Sequence, residues 1–198
     1  MARRLGVSSK KADRCDETIA FIDESLFQLV PTFRNTWSPK GETPYIETHS
    51  STDPVAGISA LTYTPDTDEC ELYFRLQQDY FDSDEICAFL RDVAEFLPRD
   101  VMFILDNLPA HFPAVEMLED EFDEVATNVA VEWLPTHAPE LNPTEFVWRT
   151  SKYVDLANYA PKEIDILQQK VSRSLLAKHD RQSFLRSCFA FADLGLGV

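Results

Sequence analysis

The rhythm of apolar positions divides this chain into a strand-rich opening and a helical close. "TIAFIDES" is a short apolar run with an acid near its end, and it predicts a strand. "LFQLVPTF" predicts a second strand, and "SPKGETP" is a turn by composition. "GISALTYT" and "CELYFRLQ" read as two strands joined into a hairpin by the turn-rich "PDTDE". In "DSDEICAFLRDVAEFL" the spacing becomes helical: Ile86, Phe89, Leu90, Val93 and Phe96 share a face, and Asp82 with Glu85 has the form of a capping box. "VMFIL" is a continuous apolar run, as expected of a strand buried on both faces. The acidic amphipathic "PAVEMLEDEFDEVATN" predicts a helix and "VAVEWL" a strand. Helices are then expected at about 143–157, 161–178 and 180–191. Three or four strands, helix, strand, helix, strand and helices make an α/β order: a mixed sheet flanked by helices.

Composition narrows the class. A chain of 198 residues suffices for one domain with a sizeable core, and 44% hydrophobic content with 14 Phe fits a globular one. No window approaches ~18 uninterrupted apolar residues, so no membrane-spanning helix is expected. The N-terminal "MARRLGVSSKKADRC" has basic residues but no apolar segment behind them, unlike a secretory signal. Cys15, Cys70, Cys87 and Cys188 are scattered without a C-x-x-C pair. They read as reduced thiols of a cytoplasmic protein, with no zinc site.

Charge pulls the other way from any nucleic-acid partner. The net charge is −16, and the first fourteen residues are themselves at +4, which leaves −20 on the body. Phosphate binding rests on Lys and Arg, so such a body repels DNA. A strongly hydrated acidic surface suits a protein working in high salt.

Three acids stand where chemistry is a candidate. Asp23 follows the run "AFI" and Asp106 follows "FIL", each near the carboxyl end of an expected central strand, where sheet proteins place their sites. Glu145 opens a helix in "LPTHAPELNPTEFVW". Each has an ordinary reading as well. An Asp leaving a strand often starts a turn, and Asn142, Pro143 and Glu145 suit an N-cap, a first helical position and a capping-box acid. As a set, three converging carboxylates would repel one another unless cations intervene, and hard divalent ions with oxygen ligands are the natural counterpart.

Three blocks, in order, resemble the DDE-superfamily transposases of bacterial and archaeal insertion sequences, on the mariner-like branch. They are "FIDESLFQLVPTFRNTWSPKGETP", "FILDNLPAH" and "LPTHAPELNPTEFVW", spread over most of residues 19–157. The resemblance implies a ribonuclease H-like fold, which the element order fits along with several other three-layer folds. It implies that Asp23, Asp106 and Glu145 bind two Mg²⁺ or Mn²⁺ ions, and that the protein cleaves DNA and transfers strands at transposon ends into a target. It gives Glu145 a double part, starting the helix and serving the metals.

The departures are specific. The segment between Asp106 and Glu145 is a little longer than the family's usual one, and Thr136-His137-Ala138 stand where a tyrosine-serine pair is more common. Relatives carry a helix-turn-helix DNA-binding region ahead of the first aspartate. Here only about twenty residues stand there. Residues 1–17 are therefore expected to be a flexible basic arm, and 18–198 the catalytic domain with its C-terminal helices. The missing region is an expected partner, and a second copy of the chain a candidate one. Arg34, Trp37 and Lys40 after the first block, and Arg149 and Lys152 beyond Glu145, are candidates for DNA contact by charge and stacking. The alternatives are a packed Trp and solvated cations. Asn107 and His111 are candidates for supporting the site, His111 equally for capping the next helix. Two rival readings stay open: an inactive remnant that only binds or oligomerises, and another ribonuclease H-like nuclease, acting on RNA:DNA hybrids.

Overall fold

The computed structural model describes residues 17–49, 54–98, 100–122, 129–136, 138–192 and 194. The expected basic arm (apart from Glu17), Cys15, His137 and the end of the acidic helix lie outside these residues. Glu17 is itself only 9% exposed.

A central strand organises the rest. Strand β1 (Thr18–Phe27) pairs antiparallel with β2 (Val55–Thr64) from Ile19↔Tyr63 to Phe27↔Val55. On its other side it pairs parallel with β4 (Val101–Leu105), but only from Thr18↔Val101 to Phe21↔Ile104. Strand β3 (Glu69–Gln78) extends the hairpin beyond β2, and β5 (Val129–Trp133) runs parallel to β4, giving the order β3-β2-β1-β4-β5. Successive residues of a strand point to opposite faces, so β1 feeds two cores. Phe21 and Phe27 belong to one with Leu61, Trp148, Leu175 and Phe189. Ala20 and Ile22 belong to the other with Ile58, Leu90, Phe103 and Leu118.

Helices α1 (Ser83–Phe96) and α2 (His111–Phe122) cover the second face. The capping box of α1 forms as the sequence indicates: Asp82 accepts from the Glu85 N–H at 2.9 Å and Glu85 from the Asp82 N–H at 3.0 Å. Helices α3 (Thr144–Thr150), α4 (Ile164–His179) and α5 (Gln182–Phe191) cover the first face. The exposed edge of β3 is shielded by α4 and α5. Gln182 donates to Cys70 O at 2.6 Å and accepts from Cys70 N–H at 3.2 Å, while His179 Nδ1 meets Leu72 O at 3.0 Å.

Three sequence expectations are corrected. "LFQLVPTF" is not a second strand: Leu26 and Phe27 finish β1 against β2, and residues 28–49 lie outside any strand. The helix expected at 143–157 is two pieces, α3 and a wider π-helical turn at Ser151–Asp155. Phe96 ends α1 with 76% of its surface exposed, so it is not on the buried face.

Candidate active site

The site lies where β1 outruns β4. Parallel pairing stops at Phe21, and two residues later Asp23 turns toward the α3 side of the sheet. Asp23 is 8% exposed, and its Oδ2 has no hydrogen-bond partner. Burial first, then the negative charges of Glu145, Glu24 and Asp106, hold its carboxyl well above the usual range, against a lowering hydrogen bond from the Glu24 backbone. Four carboxylates therefore sense one another here. Its antiparallel neighbour Ser59 is wholly buried with an equally unpartnered Oγ.

Glu145 reaches this point because the start of α3 is tied to β1. Asn142 Nδ2 donates to Ile22 O at 3.3 Å, and Thr144 Oγ1 donates to Phe21 O at 3.1 Å. These are the two carbonyls just before Asp23. Asn142 Oδ1 also accepts from Thr144 N–H at 3.1 Å, but Asn142 stands one residue ahead of the N-cap, which is Pro143 and not Asn142 as expected. The expected capping box does not form, since α3 begins one residue later and Glu145 faces the cleft described below. One turn on, the Trp148 ring packs against β2 at Gly57. A Cβ there would come within 3.2 Å of Trp148 and 3.0 Å of Leu76, so only glycine allows this approach without displacement.

Asp106 leaves β4 and is held from the other face. His111, fully buried at the start of α2, places Nδ1 2.9 Å from Asp106 Oδ1 and 3.0 Å from Asp106 O. Its Nε2 lies 2.8 and 3.0 Å from the Glu24 carboxylate. Burial works to lower the histidine's pKa, but hydrogen bonds to Asp106 and Glu24 outweigh it and push the pKa up to about 10. For Asp106 burial works upward, yet the His111 hydrogen bond and charge bring the carboxyl below its ordinary range. Asp106 Oδ1 also accepts from Leu108 N–H at 3.2 Å, the turn-forming part expected of it. Asn107 does not join the carboxylates; it donates to Leu134 O at 2.7 Å and ties the loop after β4 to the end of β5.

Beside the carboxylates is a cleft of about 1110 Å³, with Glu24 and Glu145 in its lining. Three of the five cationic or aromatic DNA-contact candidates line it: Arg34, Arg149 and Lys152. Trp37 is completely exposed and, like Lys40, lies outside the cleft lining; the packed alternative for Trp37 does not hold. Lys152 is carried by the π-helical turn, 5.5 Å from the Phe27 ring centre. Burial lowers its pKa, opposed by Glu145 and Asp23. The turn is fixed from α4: buried Lys178 meets Asp155, while Ser174 Oγ is 2.7 Å from Asp155 Oδ2 and 3.1 Å from Ser151 Oγ.

The sequence reading missed Glu24, Thr144 and Asn158. Strand alternation was the available signal for Glu24, since it must face away from Asp23 toward the helix that begins at His111.

The donor chemistry fits hard divalent cations: oxygen ligands, a buried Asp23 oxygen without a partner, and mutual repulsion that positive charge would relieve. Among the described residues, no three acidic, histidine or cysteine side chains are gathered tightly enough to form a ready-made metal cage.

The family model of the DDE superfamily endonucleases matches residues 18–167. No curated protein matches the chain. Among solved structures, the mariner Mos1 paired end complex with Mg shares 16% identity at a TM-score of 0.61, covering 90% of this chain and 54% of that one. A pre-cleavage Mos1 transpososome shares 16% at 0.59, covering 92% and 58%. The Mos1 strand transfer complex shares 17% at 0.56, covering 88% and 54%. The common ground at this identity is the ribonuclease H-like fold, and the chain spans little more than half the length of these proteins.

Proposed function

Because the chain belongs to the DDE superfamily endonuclease family, we propose that it is the catalytic domain of a transposase, cleaving DNA and transferring strands at transposon ends. The observation that carries this reading is Asp23, buried just past the parallel pairing of β1 with β4, with an unpartnered oxygen and three acids acting on it. Asp23, Asp106 and Glu145 would hold two Mg²⁺ or Mn²⁺ ions. Bound there, the ions supply positive charge to the attacking and leaving oxygens of a displacement at phosphorus.

The chain's own residues have separate tasks. The ties from Asn142 and Thr144 to β1 set Glu145 against Asp23. His111, itself held by Glu24, holds the Asp106 carboxylate. Lys152, Arg149 and Arg34 offer the DNA phosphates positive charge along the cleft. The remaining surface is acidic, so affinity for DNA comes mainly from a DNA-binding region supplied in cis or in trans.

The test is strand cleavage of transposon-end DNA in Mg²⁺ or Mn²⁺ with such a region supplied. Asp106→Asn keeps the side chain's shape, removes a ligand charge and should abolish cleavage. Asp120→Asn, at an exposed position on α2, is the control and should cut like the parent. An Asp106→Asn protein that cuts as well as the parent at matched metal and salt would replace this reading with that of a binding remnant.

A further inference from the structure

Strand β2 brings a hydroxyl up to Asp23 from the side. In the antiparallel register Asp23 stands opposite Ser59, between the rungs Phe21↔Leu61 and Ser25↔Gly57. Alternation along a strand puts these three rungs on one face, the face that α3 covers. Ser59 is wholly buried and Asp23 is 8% exposed. Among the described residues, neither Ser59 Oγ nor Asp23 Oδ2 has a hydrogen-bond partner. Residues directly opposed in an antiparallel pair have Cβ atoms about 4.5–5.5 Å apart. A turn about the serine χ1 or the aspartate χ2 is then enough to bring hydroxyl and carboxylate together.

The other hydroxyls and amides around this face are engaged. On β2 itself, Thr62 Oγ1 donates to Glu71 O at 3.4 Å and Thr64 Oγ1 meets Thr18 Oγ1 at 3.0 Å. From α3 and its approach, Thr144 and Asn142 donate to the Phe21 and Ile22 carbonyls. Ser151 Oγ is taken by Ser174. The Trp148 indole N–H, buried and also unpartnered, is a donor only and cannot accept from a serine. The acceptor that faces Ser59 across the strands is the Asp23 carboxylate. A buried hydroxyl without an acceptor costs folding free energy, and an alanine at this position would carry no such cost. The serine answers to the acid opposite it, not to the core around it.

We propose that Ser59 is a positioning residue of the site, its hydroxyl donating to Asp23 Oδ2 and fixing the plane of that carboxylate toward the metal ions. Each carboxylate oxygen has two lone pairs, so Oδ2 can accept from the hydroxyl and still face a cation. The Glu24 backbone N–H already bonds the same carboxylate. Ser59 is thus a second donor, supplied by the neighbouring strand. It acts only through Asp23. This inference rests on the transposase reading and extends the site from β1 to β2.

The test uses the full 198-residue chain and reads Mn²⁺ binding by electron paramagnetic resonance beside urea unfolding in chelator. Ser59→Ala should bind Mn²⁺ about tenfold more weakly, the scale for losing a group that orients a metal ligand. It should nevertheless unfold at the same or a higher urea concentration, since it removes a buried hydroxyl. Ser59→Thr keeps the hydroxyl on a β-branched side chain that strands accept, and should bind Mn²⁺ like the parent. Parent-like affinity in Ser59→Ala, or equal weakening in both variants, would overturn the proposal. Asp23→Asn is read alongside. If it loses Mn²⁺ while Ser59→Ala does not, the transposase reading stands and only this one falls. A parent chain that binds no Mn²⁺ would remove both.

Discussion

His111 and Glu24 share a hydrogen bond of 2.8 Å across 87 residues of sequence, joining the first turn of α2 to the central strand. Through the other ring nitrogen the same histidine holds Asp106. Asp23 and Glu24 are consecutive, so β1 presents one acid to the α3 face and the next to the α2 face, and the end of the central strand gathers acids from both faces.

Removing the histidine should leave Glu24 and Asp106 without their shared partner. His111→Ala is expected to lower stability by roughly 2–4 kcal/mol, as for one partner lost from a buried ionic hydrogen-bonded group. It should also weaken Mn²⁺ binding by about 10- to 100-fold, the usual effect of losing the group that orients a metal ligand. Urea unfolding in chelator and Mn²⁺ titration by electron paramagnetic resonance measure the two. A variant that unfolds and binds Mn²⁺ like the parent would mean that the bridge orients nothing.

Gly57 should matter although it touches no carboxylate. In Gly57→Ala the new methyl stands 3.2 Å from Trp148 and 3.0 Å from Leu76, tighter than ordinary packing, so a neighbour must give way. Trp148 belongs to the same short helix as Glu145, so relief of the clash should shift that helix. A loss of about 1–3 kcal/mol is expected from overpacking, with cleavage falling more than the fraction unfolded explains. Thermal melting beside a cleavage assay at a temperature where the variant is fully folded tests this.

Much of this arrangement was legible in the sequence. Period-two and period-three-to-four spacing gave the order of strands and helices, and the "FIDES", "FILDN" and "LNPTEF" stretches marked where the acids lie. What was not legible depends on partners far along the chain. The end of β1 is decided by its register with β2, so Phe27 pairs with Val55 and does not begin a new strand. The π-helical turn is met by Lys178, 23 residues beyond Asp155. Asn158 bonds the Arg34 backbone through its side-chain amide only because residues 32–34 pass beside it. Spacing alone reports none of these.

The turn after α3 makes its own prediction. Lys178 is 5% exposed and pairs with Asp155, whose side chain is 38% exposed. Lys178→Met should cost roughly 1–3 kcal/mol, below the figure for a fully buried pair because water reaches Asp155. The double variant Lys178→Met with Asp155→Leu should recover part of that loss, since no unpaired charge remains. A double-mutant cycle by urea unfolding gives the coupling, and strictly additive losses would show that the pair does not hold the turn.

The buried thiols supply a test by pH. Burial pushes Cys188 up to about 12 and Cys70 up to about 11, and it also raises Cys87. The thiolate is the reactive form, so in the folded chain these three should resist alkylation at pH 8.5, where an unfolded cysteine is about half ionised. With Cys15→Ser removing the fourth thiol, an alkylating reagent should label the native protein slowly and the urea-unfolded protein at three sites. The linkage has a fixed sign. A thiol whose folded pKa is raised contributes stability fully below its unfolded value, and that contribution falls as pH rises toward the folded value. Stability should therefore decline from about pH 8.5 upward, and Cys188→Ala should flatten that decline whatever it does to stability at neutral pH. Rapid native labelling of Cys188 at pH 8.5 would show that α5 opens readily from the sheet.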